Sequence, residues 1–272
     1  MFELVKKSTE YIQSEVSNRP KIAIILGSGL GDLVDEIMNK KAIKYENIPN
    51  FPTVSVVGHS GELLFGTING IEVVAMAGRF HFYEGYGMKE VSYPLYVFKQ
   101  MGIETVIVSN ACGGINSDFK PGTLMIIDDF INLMGENPLF GNNDERFGPR
   151  FPDMTEPYSN RLIGYAEESA KELSIELKKG IYAGFPGPYY ETRAEIQMIK
   201  GFGADAVGMS TVPETIAANY LGMEVLGISC ITNMATGIQK KRHSHTEVVK
   251  QAKMAGVRFV KIIKSVIEKI GE

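Results

Sequence analysis

The sequence predicts an α/β fold, a single domain over residues 1–272 with a mixed central β-sheet flanked by helices. Short apolar runs of strand length alternate with segments of helical period from one end of the chain to the other. Asn69-Gly70 separates two such runs, and both residues tolerate positive φ, so one pair of strands is an antiparallel hairpin and the sheet is not purely parallel. No shift in composition, internal repeat or low-complexity tract divides the chain.

The elements follow in order. Residues 2–16 carry Leu4, Val5, Ile12 and Val16 at helical positions and predict a short amphipathic helix. Residues 22–26, Ile-Ala-Ile-Ile-Leu, predict a buried strand, and residues 32–37 resume at helical spacing. The hairpin strands cover 63–68 and 71–77, followed by a helix over 88–101 and strands over 105–109 and 124–128. Helices over 160–173, 192–200 and 213–221 alternate with strands over 180–183, 206–208 and 225–231. A last helix, about 246–270, places Val249, Ala252, Phe259, Ile263, Val266 and Ile270 on one side. Residues 135–158 break the rhythm. Their prolines and the aromatics Phe140, Phe147, Phe151 and Tyr158 predict an ordered loop that covers a pocket or a subunit contact.

Composition narrows the function. A chain with 44% hydrophobic and 22% charged residues builds a sizeable core. A formal net charge of -4 argues against a nucleic-acid surface and leaves small anionic ligands open. No basic-then-apolar leader is visible and no apolar run approaches the roughly 18 residues that span a bilayer, so a cytoplasmic protein without a membrane partner is expected. Cys112 and Cys230 stand far apart without metal-type spacing, which fits a reducing compartment.

Gly27-Ser28-Gly29-Leu30-Gly31 sits at a strand-to-helix turn whose backbone amides and Ser28 hydroxyl can surround an anion. A dinucleotide fingerprint needs glycine at position 32, where Asp32 stands, and the Gly-Lys-Ser/Thr of a P-loop is absent; a tight turn with no ligand is the plain alternative. Arg79, His81 and Tyr83 fall on one side of an extended segment 78–84, where Arg79 offers a planar fork and Glu84 can keep His81 protonated. A solvated strand end with a surface ion pair would look the same. His59, in a glycine-flanked turn, can join that site or be ordinary surface. Residues 109–114 and 207–210 repeat the layout of a strand running into small residues; Ser210 can donate to an anion, or it or Thr211 can be a helix cap.

Glu191, reached through a proline-containing turn, is either a first-turn cap or a carboxylate that accepts from ring N–H groups, with Tyr190 packing on the ring. Asn233 ends the long strand before the final helix with an amide that both donates and accepts. Together they can read a heterocycle with an N–H edge and an acceptor nitrogen. Residues 242–245 contain His243 and His245 without a carboxylate or cysteine at ligand spacing, so no metal is expected. His245 fits better as a hydroxyl partner or a helix-start residue.

Taken together, the chain resembles the trimeric purine nucleoside phosphorylase family almost end to end. The resemblance rests on GSGLG at 27–31, GHSG at 58–61, GRFHFYEG at 78–85, SNACGG at 109–114, NPLFGNNDERFGPRFPDM at 137–154, GPYYET at 187–192, GMSTVPE at 208–214, ITN at 231–233, and His245. It implies a nucleoside phosphorylase-like fold and a homotrimer. It also implies a phosphate pocket made by Ser28, His59, Arg79, His81, Ala111 through its backbone, and Ser210. Glu191 and Asn233 match the purine readers, with Tyr190 where phenylalanine is usual. Tyr83, Met209 and His245 match the ribose contacts, and Phe151 matches the aromatic that closes a neighbouring subunit's site. Cys112 stands where alanine is frequent, and the resemblance assigns no role to Ala235-Thr236-Gly237.

The resemblance implies reversible phosphorolysis of inosine, guanosine and their 2′-deoxy forms to a free purine and (deoxy)ribose 1-phosphate. Orthophosphate is then a co-substrate and no cofactor is needed. His81, Glu191, Asn233 and His245 are the expected catalytic set. Relatives that take 6-aminopurines carry an acid where this chain has Asn233, so adenosine is expected to be poor. A methylthioadenosine phosphorylase-like activity is the alternative within the same chemistry. A dinucleotide-dependent oxidoreductase leaves Arg79, Glu191 and Asn233 idle. A non-catalytic nucleoside-binding module and a nucleoside hydrolase are separated from the phosphorylase by their indifference to orthophosphate.

Overall fold

The first apolar run forms β1 (Ile22–Ile25), which is buried along its whole length because it lies inside a sheet covered on both faces. The computed structural model describes residues 1–55, 60–239 and 244–272, the side chain of His245 excepted. Around β1 the chain adds β2 (Met38–Lys44), β3 (Glu62–Ile68), β4 (Ile71–Ala77), β5 (Thr105–Gly114) and β6 (Leu124–Asn132). It then adds β7 (Leu177–Gly184), β8 (Ala206–Gly208) and β9 (Glu224–Met234). The helices are α1 (Phe2–Glu15), α2 (Met88–Val91), α3 (Tyr93–Met101), α4 (Asn160–Glu172), α5 (Arg193–Gly201), α6 (Val212–Tyr220) and α7 (His245–Gly271).

The strands form one sheet in the order β2-β3-β4-β1-β5-β8-β7-β6-β9, and β9 also pairs with β5. The half that begins at β5 therefore closes on itself, while β1 to β4 fan out as an open wing. Strands β4, β1, β5 and β9 are mutually parallel neighbours. The β3–β4 hairpin, β6–β9 and β5–β8 pair antiparallel, so the sheet is mixed as expected. Asn69 at φ 51 and Gly70 at φ 82 make the hairpin turn. The parallel strands bring their carboxyl ends to one edge, and the segments that leave β1, β4, β5 and β9 there build the site.

Several boundaries differ from expectation for physical reasons. Residues 32–37 do not open an α-helix; a 3₁₀ turn over Gly31–Glu36 leads straight into β2. That strand is exposed except at Ile43, so it carries no alternation to read, and its lysines suit a sheet edge. The helix expected over 88–101 is broken at Ser92, with Pro94 at the start of α3. Leu4 is 44% exposed, and α1 instead packs Val5, Ser8, Thr9 and Ile12 inward. The strands at 105, 124, 177 and 224 run longer than their apolar cores, because backbone pairing continues past the last apolar residue.

Helix α7 buries Ala252, Ala255, Phe259, Ile262, Ile263, Val266 and Ile267, close to the expected stripe. The loop over 135–158 tucks Tyr158 into the core and sets Phe147 against Phe2 and Tyr96, leaving Phe140 and Phe151 exposed at 74% and 86%. Among the described residues no helix is long and apolar enough to cross a membrane.

Candidate active site

A cleft opens where the carboxyl ends of β1, β5, β8 and β9 meet. Its lining includes Ser28, Arg79, His81, Tyr83, Ala111, Tyr190, Glu191, Met209, Ser210 and Asn233. Ten residues singled out from the sequence, drawn from six separate segments, thus share one wall. Phe151 is not part of that wall, His59 lies outside the described residues, and His245 is placed only as the first residue of α7.

The glycine segment reaches the cleft because it passes directly over β5. A Cβ on Gly27 would lie 2.6 Å from Asn110 Cα, so only glycine permits the approach, and the Gly27 amide donates to Ser109 Oγ at 3.1 Å. Gly29, at φ 76, packs against α7, where a Cβ would lie 2.6 Å from Ala252 Cβ. The expected helix dipole behind these amides is missing, since a six-residue 3₁₀ turn supplies little of it.

Arg79 is 1% exposed, and its position is over-determined. Nε donates to Glu214 Oε1 at 2.9 Å, and Nη1 donates to the Ser109 carbonyl at 2.7 Å and to Ser210 Oγ at 3.3 Å. This corrects the surface ion-pair alternative: the guanidinium is buried, and its partner, Glu214, comes from α6. The segment does not stay extended, because Phe82–Glu84 coils into a 3₁₀ turn. His81 and Tyr83 nevertheless keep to one side, with rings stacked at 4.7 Å. His81 Nδ1 lies 2.9 Å from Glu84 Oε1, which also accepts from the His81 amide, so the acid fixes the ring and turns Nε2 away from itself. Burial opposes ionisation of Glu84, but hydrogen bonds from His81 and Ser55 outweigh it and hold its pKa at about 2. Burial, reinforced by Glu84, pushes the Tyr83 phenol up to about 12, so it remains a neutral hydroxyl.

Glu191 is not the cap of α5. Thr192 caps that helix, accepting from the Glu195 amide, and Glu195 returns a carboxylate to the Thr192 amide. Glu191, one residue earlier, is 5% exposed in the cleft wall, and burial raises its pKa above the ordinary 4.5. No cation pairs with it among the described residues. Asn233 Oδ1 accepts from Thr232 Oγ1 at 3.0 Å, and Nδ2 donates to the Met234 carbonyl at 3.3 Å. The Met234 amide in turn donates to Gln239 Oε1 at 3.1 Å, which braces the Ala235-Thr236-Gly237 turn behind the amide. Tyr190 is 40% exposed at the rim.

Asn110, Cys112, Thr232 and Val248 also line the cleft, and Glu214 supports it, although none was picked out for a role. Asn110, Thr232 and Glu214 lie inside motifs read as a whole, but only the fold shows which member of each motif points inward. Cys112 is a buried free thiol whose pKa burial raises, so it is an inert part of the wall. Among the described residues no three metal-ligating side chains gather.

A parallel-strand edge holding a buried arginine beside hydroxyl and amide donors, with a buried carboxylate that no described cation pairs in the same cleft, is the site of a protein that handles an anion together with a polar organic molecule. Sequence comparison agrees: the phosphorylase superfamily model matches residues 21–268. Purine nucleoside phosphorylase 1 of Bacillus subtilis is 50% identical over 267 residues, which cover 98% of each chain. Two crystal structures of Schistosoma purine nucleoside phosphorylase, one with hypoxanthine and one, from Schistosoma mansoni, with adenosine, superpose with a TM-score of 0.94 at 40% identity, covering 98% of this chain and 97% of theirs. The chain belongs to the phosphorylase superfamily and, within it, to the purine nucleoside phosphorylases.

Proposed function

We propose that the protein catalyses reversible phosphorolysis of 6-oxopurine nucleosides and 2′-deoxynucleosides, inosine and guanosine first. The observation that carries this reading is the pairing, in one cleft, of a buried Arg79 joined to Ser210 with a buried Glu191 that no cation among the described residues pairs. Ser28, His59, Arg79, His81, the Ala111 amide and Ser210 hold orthophosphate. Tyr83, Met209 and His245 contact the ribose. Tyr190 packs on the base, Glu191 accepts its N1–H, and Asn233 donates to N7.

In the reaction a phosphate oxygen bonds to C1′ as the C1′–N9 bond breaks, and its electron pair leaves with the purine. Positive charge grows on the sugar and negative charge on the base. The bound anion stabilises the first, and the Asn233 amide stabilises the second. Glu191 selects 6-oxopurines because adenine has no proton at N1 and would set a lone pair against the carboxylate.

We further propose a homotrimer in which Phe151, exposed and not part of its own cleft wall, closes a neighbour's site. The test is release of base from inosine and adenosine by the purified protein, with and without orthophosphate, beside its sedimentation mass. Inosine should react only with phosphate, and adenosine at a rate at least about tenfold lower. Phosphate-independent release would mean a hydrolase, binding without release a binding module, and equal turnover of the two nucleosides would overturn the specificity. A fully active monomer would remove Phe151 from its role.

A further inference from the structure

Behind Ser210 the backbone does something that β-branched residues rarely do. Thr211 has φ 73 and ψ -47, and the Val212 amide donates to the Ser210 carbonyl at 2.8 Å, which together make a γ-turn of the rare positive-φ kind. A strained threonine persists only where its surroundings over-determine it. Thr211 stands at the N-cap of α6, yet its side chain caps nothing; it is fully buried and absent from the cleft lining. Its hydroxyl instead accepts from Asn110 Nδ2 at 2.9 Å, and Asn110, 1% exposed, is the residue over which Gly27 passes.

The polarity of this contact decides what Ser210 can do. An amide NH₂ only donates, so it occupies one lone pair of Thr211 Oγ1 and leaves the threonine proton and the second lone pair to face Ser210 Oγ, 3.3 Å away, where either hydroxyl can donate. Arg79 Nη1 also donates to Ser210 Oγ, at 3.3 Å. When Thr211 donates, both lone pairs of Ser210 Oγ are taken and its own proton turns toward the cleft, which is the arrangement a bound anion selects. We propose that Thr211 is a positioning residue of the anion subsite: held by Asn110 in a strained turn, it fixes the Ser210 hydroxyl as a donor toward bound orthophosphate. The proposal rests on the reading that this cleft binds orthophosphate at Arg79 and Ser210.

The test uses the full-length protein and inorganic phosphate, titrated by calorimetry, beside the KM values for phosphate and inosine. Thr211→Val keeps the shape and removes the hydroxyl. It should weaken phosphate binding and raise the phosphate KM about tenfold, with the inosine KM held within about twofold. Thr211→Ser, which keeps the hydroxyl, should restore both. Wild-type phosphate affinity in Thr211→Val overturns the proposal, as do parallel changes in both KM values or failure of the serine variant to rescue. If Thr211→Val does not fold, Asn110→Leu breaks the same hydrogen bond from the other side, and the same selective loss is expected. Failure of both to fold overturns the proposal in favour of a purely structural tie. Absence of phosphate binding by the wild-type protein would instead overturn the orthophosphate reading itself.

Discussion

Two groups of residues face each other across one cleft and handle their charges in opposite ways. On one side Arg79 is locked to Glu214 and His81 to Glu84, all four buried or nearly so, before any ligand arrives. On the other, Glu191 is buried with no cation beside it among the described residues, and burial raises its pKa. The first group is preorganised: its donors are aimed and its counter-charges lie behind them, so binding an anion requires little rearrangement. The second group holds a carboxylate whose charge burial disfavours, placed in the cleft wall where a ligand N–H can reach it. Structure is stored on one side and selectivity on the other, because an unsatisfied polar group penalises every ligand that lacks the matching donor.

The largest effect that would break this contrast is on stability. Glu214→Ala leaves the Arg79 guanidinium buried without its carboxylate, and loss of one partner of such a pair costs about 3–5 kcal/mol. Urea unfolding should show that loss, together with weakened phosphate binding. A variant as stable as the wild type would mean that the pair is not what holds Arg79.

Glu191→Gln should do the reverse. The amide is neutral and presents an NH₂ as well as an oxygen, so kcat/KM for inosine should fall about a hundredfold. The same substitution should raise the melting temperature of the ligand-free protein at neutral pH. The sign follows from linkage: the folded-state pKa is raised, so the folded protein binds more protons than the unfolded chain between 4.5 and the raised value. Stability falls as pH rises through that window, and the charge remains a cost above it. The stabilisation by glutamine should therefore be present at neutral pH and disappear below about pH 4.5. A melting temperature that drops at neutral pH would place a cation near Glu191 and end the contrast. In the wild type the inosine KM should rise as pH falls toward the raised pKa, since a protonated Glu191 no longer accepts N1–H.

Much of this was legible because the apolar runs and glycine motifs are local signals. Residues 22–26, the Asn69-Gly70 turn and the stripe on the last helix specify their elements by period and turn chemistry alone. Strand β2 was not legible, because an edge strand with one buried side chain has no pattern. In the site, Arg79 and Glu191 were visible as chemistry, but their support was not. Glu214 looks like an ordinary first-turn acid of α6, and only the tertiary fold brings it 2.9 Å from Arg79 across 135 residues of chain. Thr211 read as a cap candidate for the same reason, since its partner Asn110 lies on a distant strand.

The smallest expected effect sharpens the contrast from the selective side. Thr232 donates to Asn233 Oδ1, which leaves Nδ2 as the face of the amide that can donate to the ligand. Asn233→Asp replaces that donor with an acceptor, and a carboxylate oxygen can take a hydrogen bond from a 6-amino group but repels a 6-oxo group. The ratio of adenosine to inosine kcat/KM should therefore rise about tenfold, chiefly through loss of inosine activity. Phosphate affinity should hold, because Arg79, Ser210 and their supports belong to the other group. If the ratio is unchanged, Asn233 does not read the purine. If phosphate binding falls with it, the two groups are not independent, and the division between a preorganised side and a selective side fails at the residue where it is easiest to test.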